Sequence, residues 1–216
     1  MSTFLDLKTG VTGQLGGLDG GTYVAKRETA INRARRRYYG EHRWEYLNVD
    51  DALLTFTVGV ASLPADFNLK YDPLDIYYYS GNIKYPFTKV SWGNVPSFLQ
   101  DQFCYAVNKK TKQVKTNHPE IATLTLEYTY TPADYTSTSG GDDATIEPAP
   151  DITAIELLAI GYWWLAKERD IQKFKMYEQQ YHDQVKRDLA LEASTEPVRF
   201  FRPVRPYIIR GYISKN

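Results

Sequence analysis

Apolar residues recur at helical spacing in three stretches of the chain and at alternate positions in the stretch between them. In "TYVAKRETAINRARRRYYGEHRW", Val24, Ile31, Ala34 and Tyr38 fall on one side, which predicts a helix over 22–39 ended by Gly40 at the C′ position. Further on, Ile152, Ile155, Leu158, Ala159, Tyr162 and Ala166 form one stripe, and Ile171, Phe174, Tyr177, Tyr181, Val185 and Leu189 form another. The short break between them, near Lys167 to Asp170, predicts an antiparallel helix hairpin over 151–192, with Asp151 as its N-cap. Between Leu53 and Tyr130 the period shifts to two. "LLTFTV", "LDIYYY", "FCYAVN" and "IATLTLEYTYT" are short runs rich in Thr, Tyr and branched residues, bounded by Gly, Pro, Asn and Asp. In the last run Leu124, Leu126, Tyr128 and Tyr130 share one face, the pattern of a half-buried antiparallel strand. "NKKTKQVKT" reads as a lysine-rich hairpin, and Trp92 as a local anchor in a short helical turn.

The expected fold is therefore α+β and mainly α: a helical bundle made of the N-terminal helix and the C-terminal antiparallel hairpin. A small antiparallel β region, at about 52–131, is inserted into it. With 216 residues the chain suits one compact domain, taken as 22–193. Before it, "TGVTGQLGGLDGG" holds six glycines in thirteen residues, so residues 1–21 are expected to be a flexible arm. This segment lacks the Gly-Lys-Ser/Thr ending of a phosphate loop. After the domain, 194–216 is expected to be an extended arm, because Pro197, Pro203 and Pro206 disfavour helix.

Charge adds a second layer. The 26 basic and 26 acidic residues cancel overall but are segregated. Residues 22–46 hold seven basic and three acidic residues, residues 47–150 hold seven and twelve, and residues 151–196 hold six and nine. From Pro197 on there are five basic residues and none acidic. Separate basic and acidic territories favour pairing with copies of the chain or with a charged partner. Arg27, Arg33, Arg35, Arg36 and Arg37 make the first helix a basic surface, facing another subunit or lying close to DNA. A DNA-reading helix-turn-helix would need a partner helix before it, where only the glycine-rich segment stands.

Catalytic chemistry finds no foothold. His42, His118 and His182 lie in separate segments without metal-ligand spacing, and no Gly-x-Ser-x-Gly elbow or His-Glu-x-x-His helix occurs. "GGDD" lacks the alternating oxygen ligands of a calcium loop, and Asp50 and Asp51 are adjacent in sequence without a second reason to form an acid–base pair. Cys104 stands alone, which rules out an internal disulfide and suits a small buried residue. No apolar run approaches the ~20 residues of a membrane span, and "MSTFLDLKTG" does not read as a secretory signal. The expectation is a non-enzymatic protein with no cofactor, no metal and no membrane partner.

The order and spacing of "AINRARRRYYGEHRWEYL", "VASLPADF", "YDPLDIYYY", "LTLEYTYTPAD" and "AIELLAIGYWWLAKERDIQKFKMYEQQYHDQV" resemble the head-to-tail adaptor (connector) proteins of tailed bacteriophages. The resemblance implies a homo-oligomeric ring of about twelve copies. It would sit beneath the portal protein, hold tail or neck proteins on its other side and surround the DNA channel. It also implies a virion neck component, assembled in the host cytoplasm. The glycine-rich start and the basic-aromatic tail "RFFRPVRPYIIRGYISKN" depart from the family pattern. In that tail Arg199, Phe200, Phe201, Arg202, Arg205, Tyr207, Ile208, Ile209, Arg210 and Tyr212 alternate charge with large apolar groups, as expected of an arm that fills pockets and pairs with acids on the portal. Two alternatives stand beside this reading: a strap on the chain's own subunit, and a nucleic-acid-binding module using the basic helix or the tail.

Overall fold

The computed structural model describes residues 2–16, 24–97, 102–135 and 142–195. Four helices, α1 (Phe4–Gln14), α2 (Val24–Glu41), α3 (Thr153–Glu168) and α4 (Ile171–Thr195), flank eight strands. The strands are β1 (Asn48–Thr55), β2 (Val60–Ser62), β3 (Asp75–Ser80), β4 (Ile83–Pro86), β5 (Thr88–Lys89), β6 (Cys104–Asn108), β7 (Gln113–Thr116) and β8 (Thr123–Thr129). They form two four-stranded sheets, ordered β1-β8-β3-β4 and β2-β7-β6-β5. All pairings are antiparallel except β5 with β6, which run parallel with Thr88 opposite Cys104.

This architecture corrects the expectation of a mainly helical bundle with a small β insert. Of the described residues 44 % are helical and 25 % lie in strands, and the β part has a core of its own. Leu54, Ile76, Leu124 and Leu126 from one sheet pack with Ala61, Tyr105 and Val114 from the other. Across β8, Leu54 pairs with Leu124 and Ile76 with Leu126, so the period-two pattern of β8 points into the space shared by the sheets. What hid the extent of the two sheets is strand length. β2, β4 and β5 are two to four residues long, too short to show a period, and β1 carries exposed Asp50 and Asp51 at a register shift between Val49 and Ala52.

The helical core is separate. Ile31, Ala34, Tyr38 and Tyr39 of α2 pack with Ile155, Leu158, Ala159 and Trp163 of α3 and with Tyr181 and Val185 of α4. The break between α3 and α4 falls at Arg169, whose left-handed backbone (φ 54°) closes α3. Gly161 lets α4 approach α3, since a Cβ there would lie 3.2 Å from the Tyr177 Cβ. Gly40 is helical and does not form the expected C′ stop, because α2 runs on to Glu41.

A second correction concerns the N-terminus. Within residues 1–21, where a flexible arm is expected, α1 is a helix with a capping box. The Thr3 hydroxyl accepts from the Asp6 backbone N–H at 3.2 Å, and the Asp6 carboxylate accepts from the Thr3 N–H at 2.7 Å. Phe4, Leu7, Val11 and Leu15 join the helical core, and Phe4 stacks on Tyr135 at 4.0 Å. Gly10 serves close packing here: a Cβ on it would meet the Glu156 carboxylate of α3.

Candidate functional site

Position along α2 decides what each arginine does. Arg35 sits four residues after Ile31 and four before Tyr39, on the stripe that faces the core. It is 2 % exposed, and so is the residue it meets, Glu147. Its Nε donates to both Glu147 carboxylate oxygens, at 3.1 and 3.0 Å, and one of its terminal nitrogens donates to the Ala133 carbonyl at 2.8 Å. The guanidinium lies 3.9 Å from the centre of the Tyr135 ring. Glu147 also accepts from the hydroxyls of Tyr39 and Tyr135. A buried carboxylate with an arginine and two phenols around it has its charge answered from every side. Arg35 is therefore an internal strut, and the surface role expected of it is corrected: an arginine on the core stripe of a helix requires a buried acid, and Glu147 supplies it.

The remaining predicted arginines separate. Arg37 bridges helices, donating to Glu41 on its own helix and to Glu178 on α4, both at 2.6 Å. Burial works against its charge, but hydrogen bonds from Arg37 to Glu41, Tyr162 and Glu178 outweigh it and hold its pKa above the usual arginine range. Glu41 also accepts from the Tyr181 hydroxyl at 2.6 Å. Arg33 lies over the Tyr162 ring at 4.2 Å, Arg36 pairs with Asp134 in solvent, and Arg27 donates to Thr12 of the α1 helix at 2.9 Å. The structure thus spreads these five side chains over α1, α3, α4 and the 131–147 connection instead of gathering them on one basic face. The portal-arm residues Arg199, Phe200, Phe201, Arg202, Arg205, Tyr207, Ile208, Ile209, Arg210 and Tyr212 lie outside the described residues.

One concave site was not anticipated. Where α2 gives way to the 3₁₀ turn Glu45–Leu47, a groove of about 530 Å³ opens against the end of α4. Tyr38, Trp44 and Tyr46 form its aromatic floor, with Tyr38 and Trp44 stacked at 4.6 Å and Trp44 and Tyr46 at 5.6 Å. Glu45, Asp151, Asp188 and Glu192 edge it, and among the described residues its lining includes no basic side chain. Asp188 accepts from Gln184 at 2.9 Å and from Tyr38 at 3.1 Å, both neutral partners. Burial first, and Asp151 second, raise its carboxyl above the ordinary value despite those bonds. The sequence signal for this site was the aromatic-acidic run "YYGEHRWEY", read only as the end of a helix.

Among the described residues no group of His, Cys, Asp and Glu could hold a metal ion, and no helix is long and apolar enough to cross a membrane. Cys104 is buried, and burial pushes its thiol up, away from reactivity. His118 is buried against Phe103, its ring 4.5 Å away, with Nδ1 2.6 Å from Glu120. The arrangement can hold elements together and offer an acidic aromatic groove to a partner. A family model described as SU10 adaptor protein matches residues 2–207, nearly the whole chain. No curated protein matches it.

Proposed function

The chain belongs to the SU10 adaptor family, a family of phage head-to-tail adaptors, and on that premise we propose that it works as a ring-forming connector between the portal and the tail. It is a structural component of the virion neck, assembled in the host cytoplasm, with portal on one side and tail or neck proteins on the other. The family match over residues 2–207 is the observation that carries this reading. In a ring each subunit offers different faces to its two neighbours, a heterologous contact. The genome passes through the centre and is met without sequence readout. The C-terminal arm, Arg199, Phe200, Phe201, Arg202, Arg205, Tyr207, Ile208, Ile209, Arg210 and Tyr212, anchors on the portal by filling apolar pockets and pairing with acids. No enzymatic step is assigned, and no cofactor is needed.

Light scattering on the purified chain, followed by electron microscopy with the portal present, tests the proposal. Rings that cap the portal are expected. A chain that stays monomeric and never joins the portal refutes it.

A further inference from the structure

Arg35, Arg36 and Arg37 of α2 each meet a carboxylate within the subunit, but a second group of cations on the β side does not. β6 and β7 are joined by the turn Lys109–Lys112, closed by the pairing of Asn108 with Gln113. The Asn108 side chain accepts from the backbone N–H groups of Lys110 and Thr111 at 3.1 and 3.2 Å, which fixes the turn. Lys110 and Lys112 are exposed there and pair with no carboxylate among the described residues. Lys109 reaches back to Asp72 at 3.3 Å, and Lys89 of β5 meets the same carboxylate at 2.6 Å. Arg43 donates to the Asp72 carbonyl at 3.1 Å, and Lys70 donates to the Gly40 and Glu41 carbonyls at the end of α2. Both are exposed and flank the Tyr71 ring, at 5.4 and 5.5 Å. Carbonyls and a π face hold these two cations without neutralising them. The acids closest by are taken: Asp75 pairs with Lys84 at 2.9 Å, and Glu41 with Arg37. Among the described residues, therefore, Arg43, Lys70, Lys89, Lys109, Lys110 and Lys112 set six positive charges against the one carboxylate of Asp72, a local excess of five.

We propose that this patch seats the phosphate backbone of duplex DNA. A duplex carries one negative charge per ~1.7 Å of its axis, so a concentrated cationic surface gains by releasing condensed counterions, whatever the base sequence. The turn from Asn108 to Gln113 has no apolar side chain, whereas a protein partner is gripped through aromatic and apolar anchors at interfaces in which lysine is depleted. Lysine is a flexible point charge that binds phosphate without fixing a register, which suits a polymer that slides past. Tyr71 is already engaged by Arg43 and Lys70, so the patch offers contact with the backbone of a duplex and no platform for unpaired bases. The inference rests on the adaptor reading, which brings the genome past the subunit, and deepens it by naming the residues that meet the phosphates. It leaves the C-terminal arm to the portal.

The test follows the anisotropy of a short fluorescein-labelled duplex of mixed sequence with the full chain, between about 50 and 200 mM salt. Lys89→Gln, Lys110→Gln and Lys112→Gln together remove three phosphate contacts, which should lower the slope of log K against log salt by about 2.7. Over that range the unsubstituted chain should lose about 40-fold more affinity than the triple variant. Asp72→Asn removes the patch's carboxylate and should tighten binding about threefold, the size of an exposed ion pair's contribution. Far-UV circular dichroism checks the fold, and Lys110→Gln alone, at an exposed turn position, gives the same reading with a slope change of about 0.9 should the triple variant fail to fold. A duplex that does not bind overturns the proposal. So does a slope indifferent to the substitutions, which would assign DNA contact to other basic residues. Poly-glutamate competing as well as unlabelled duplex at equal charge would assign the patch to an acidic protein and overturn it too. Ring formation and portal capture are scored separately on the unsubstituted chain, so loss of DNA binding leaves the connector reading standing, and a chain that binds DNA but never joins the portal refutes that reading alone.

Discussion

Replacing Arg35 by methionine removes the cation from a site where Glu147, two tyrosine hydroxyls and the Ala133 carbonyl converge. Methionine fills much of the same volume, so the main loss is electrostatic. Glu147 is left as a carboxylate at 2 % exposure with only phenolic donors, and breaking a buried pair in this way costs about 3–5 kcal/mol. Glu147→Met strands the guanidinium instead and falls in the same range. Against a total stability of about 5–15 kcal/mol, either change is severe. For a chain of this size it corresponds to a fall of roughly 6–20 °C in Tm. The double variant is the discriminating member of the set: with both charges gone and the space filled, it should be less destabilised than the sum of the singles by about 2 kcal/mol or more. Urea unfolding followed at 222 nm reads the helical core, to which Tyr39, Tyr135 and Ala149 around the pair belong. If Arg35→Met costs less than about 1 kcal/mol, or if the two single costs simply add, the pair is not the strut described here.

Three further outcomes can be measured on the same footing. Burial, and then Asp151, raise the Glu156 carboxyl from 4.5 to about 7. A value raised by folding stabilises the fold fully below about 4.5, and that contribution is lost as pH rises through about 7, so Glu156→Gln should stabilise the chain by ~2 kcal/mol at pH 8 and change little at pH 4.5; equal effects at both pH values would refute the assignment. Val58 holds φ 52° beside Gly59 at φ 73° in the two-residue turn closed between Thr57 and Val60, a geometry that suits Asn-Gly, so Val58→Asn should raise stability by about 0.5–1 kcal/mol in thermal melts. Thr3→Ala removes the cap of α1 and should cost about 1 kcal/mol, with hydrogen exchange accelerating over residues 4–8 before the rest of the chain.

The long amphipathic helices were legible because sixteen to twenty-five residues sample a 3.6 period several times over. β8 was legible for the same reason at period two. Of the second sheet, β6 and β7 were legible, as the run "FCYAVN" and the lysine-rich hairpin, but β2 and β5 were not, because they are held by pairing rather than by a pattern of their own. Thr88 and Lys89 become strand residues only because β6 lies beside them. α1 was overlooked through its glycines, although Thr3 and Asp6 spelled a capping box and Phe4, Leu7 and Val11 a stripe. Gly10 is also explained by tertiary contact: it is small because Glu156 passes over it. Glu147 was the hardest to see. In the polar run from Thr131 to Asp151 it looks like any loop acid, and Arg35, its partner, was read as part of a basic surface although it stands four residues from both Ile31 and Tyr39 on the core side of α2.

Charge is where the folded chain departs furthest from its linear reading. Counted by segment, residues 22–46 form a basic territory and residues 47–196 an acidic one. Folding brings those territories together: Arg35 meets Glu147, Arg36 meets Asp134, and Arg37 meets Glu178 on α4 as well as Glu41. The opposition that suggested complementary subunit faces is thus partly consumed within one subunit, and a phosphate backbone would have to compete with carboxylates already in place at Arg36 and Arg37. What no internal pairing of the described residues answers is the difference between a body of net −5 and a tail of +5. Raising salt should loosen the exposed Arg36–Asp134 pair well before it disturbs the Arg35–Glu147 strut, because exposed pairs are screened at ~0.15 M ionic strength and buried ones much less.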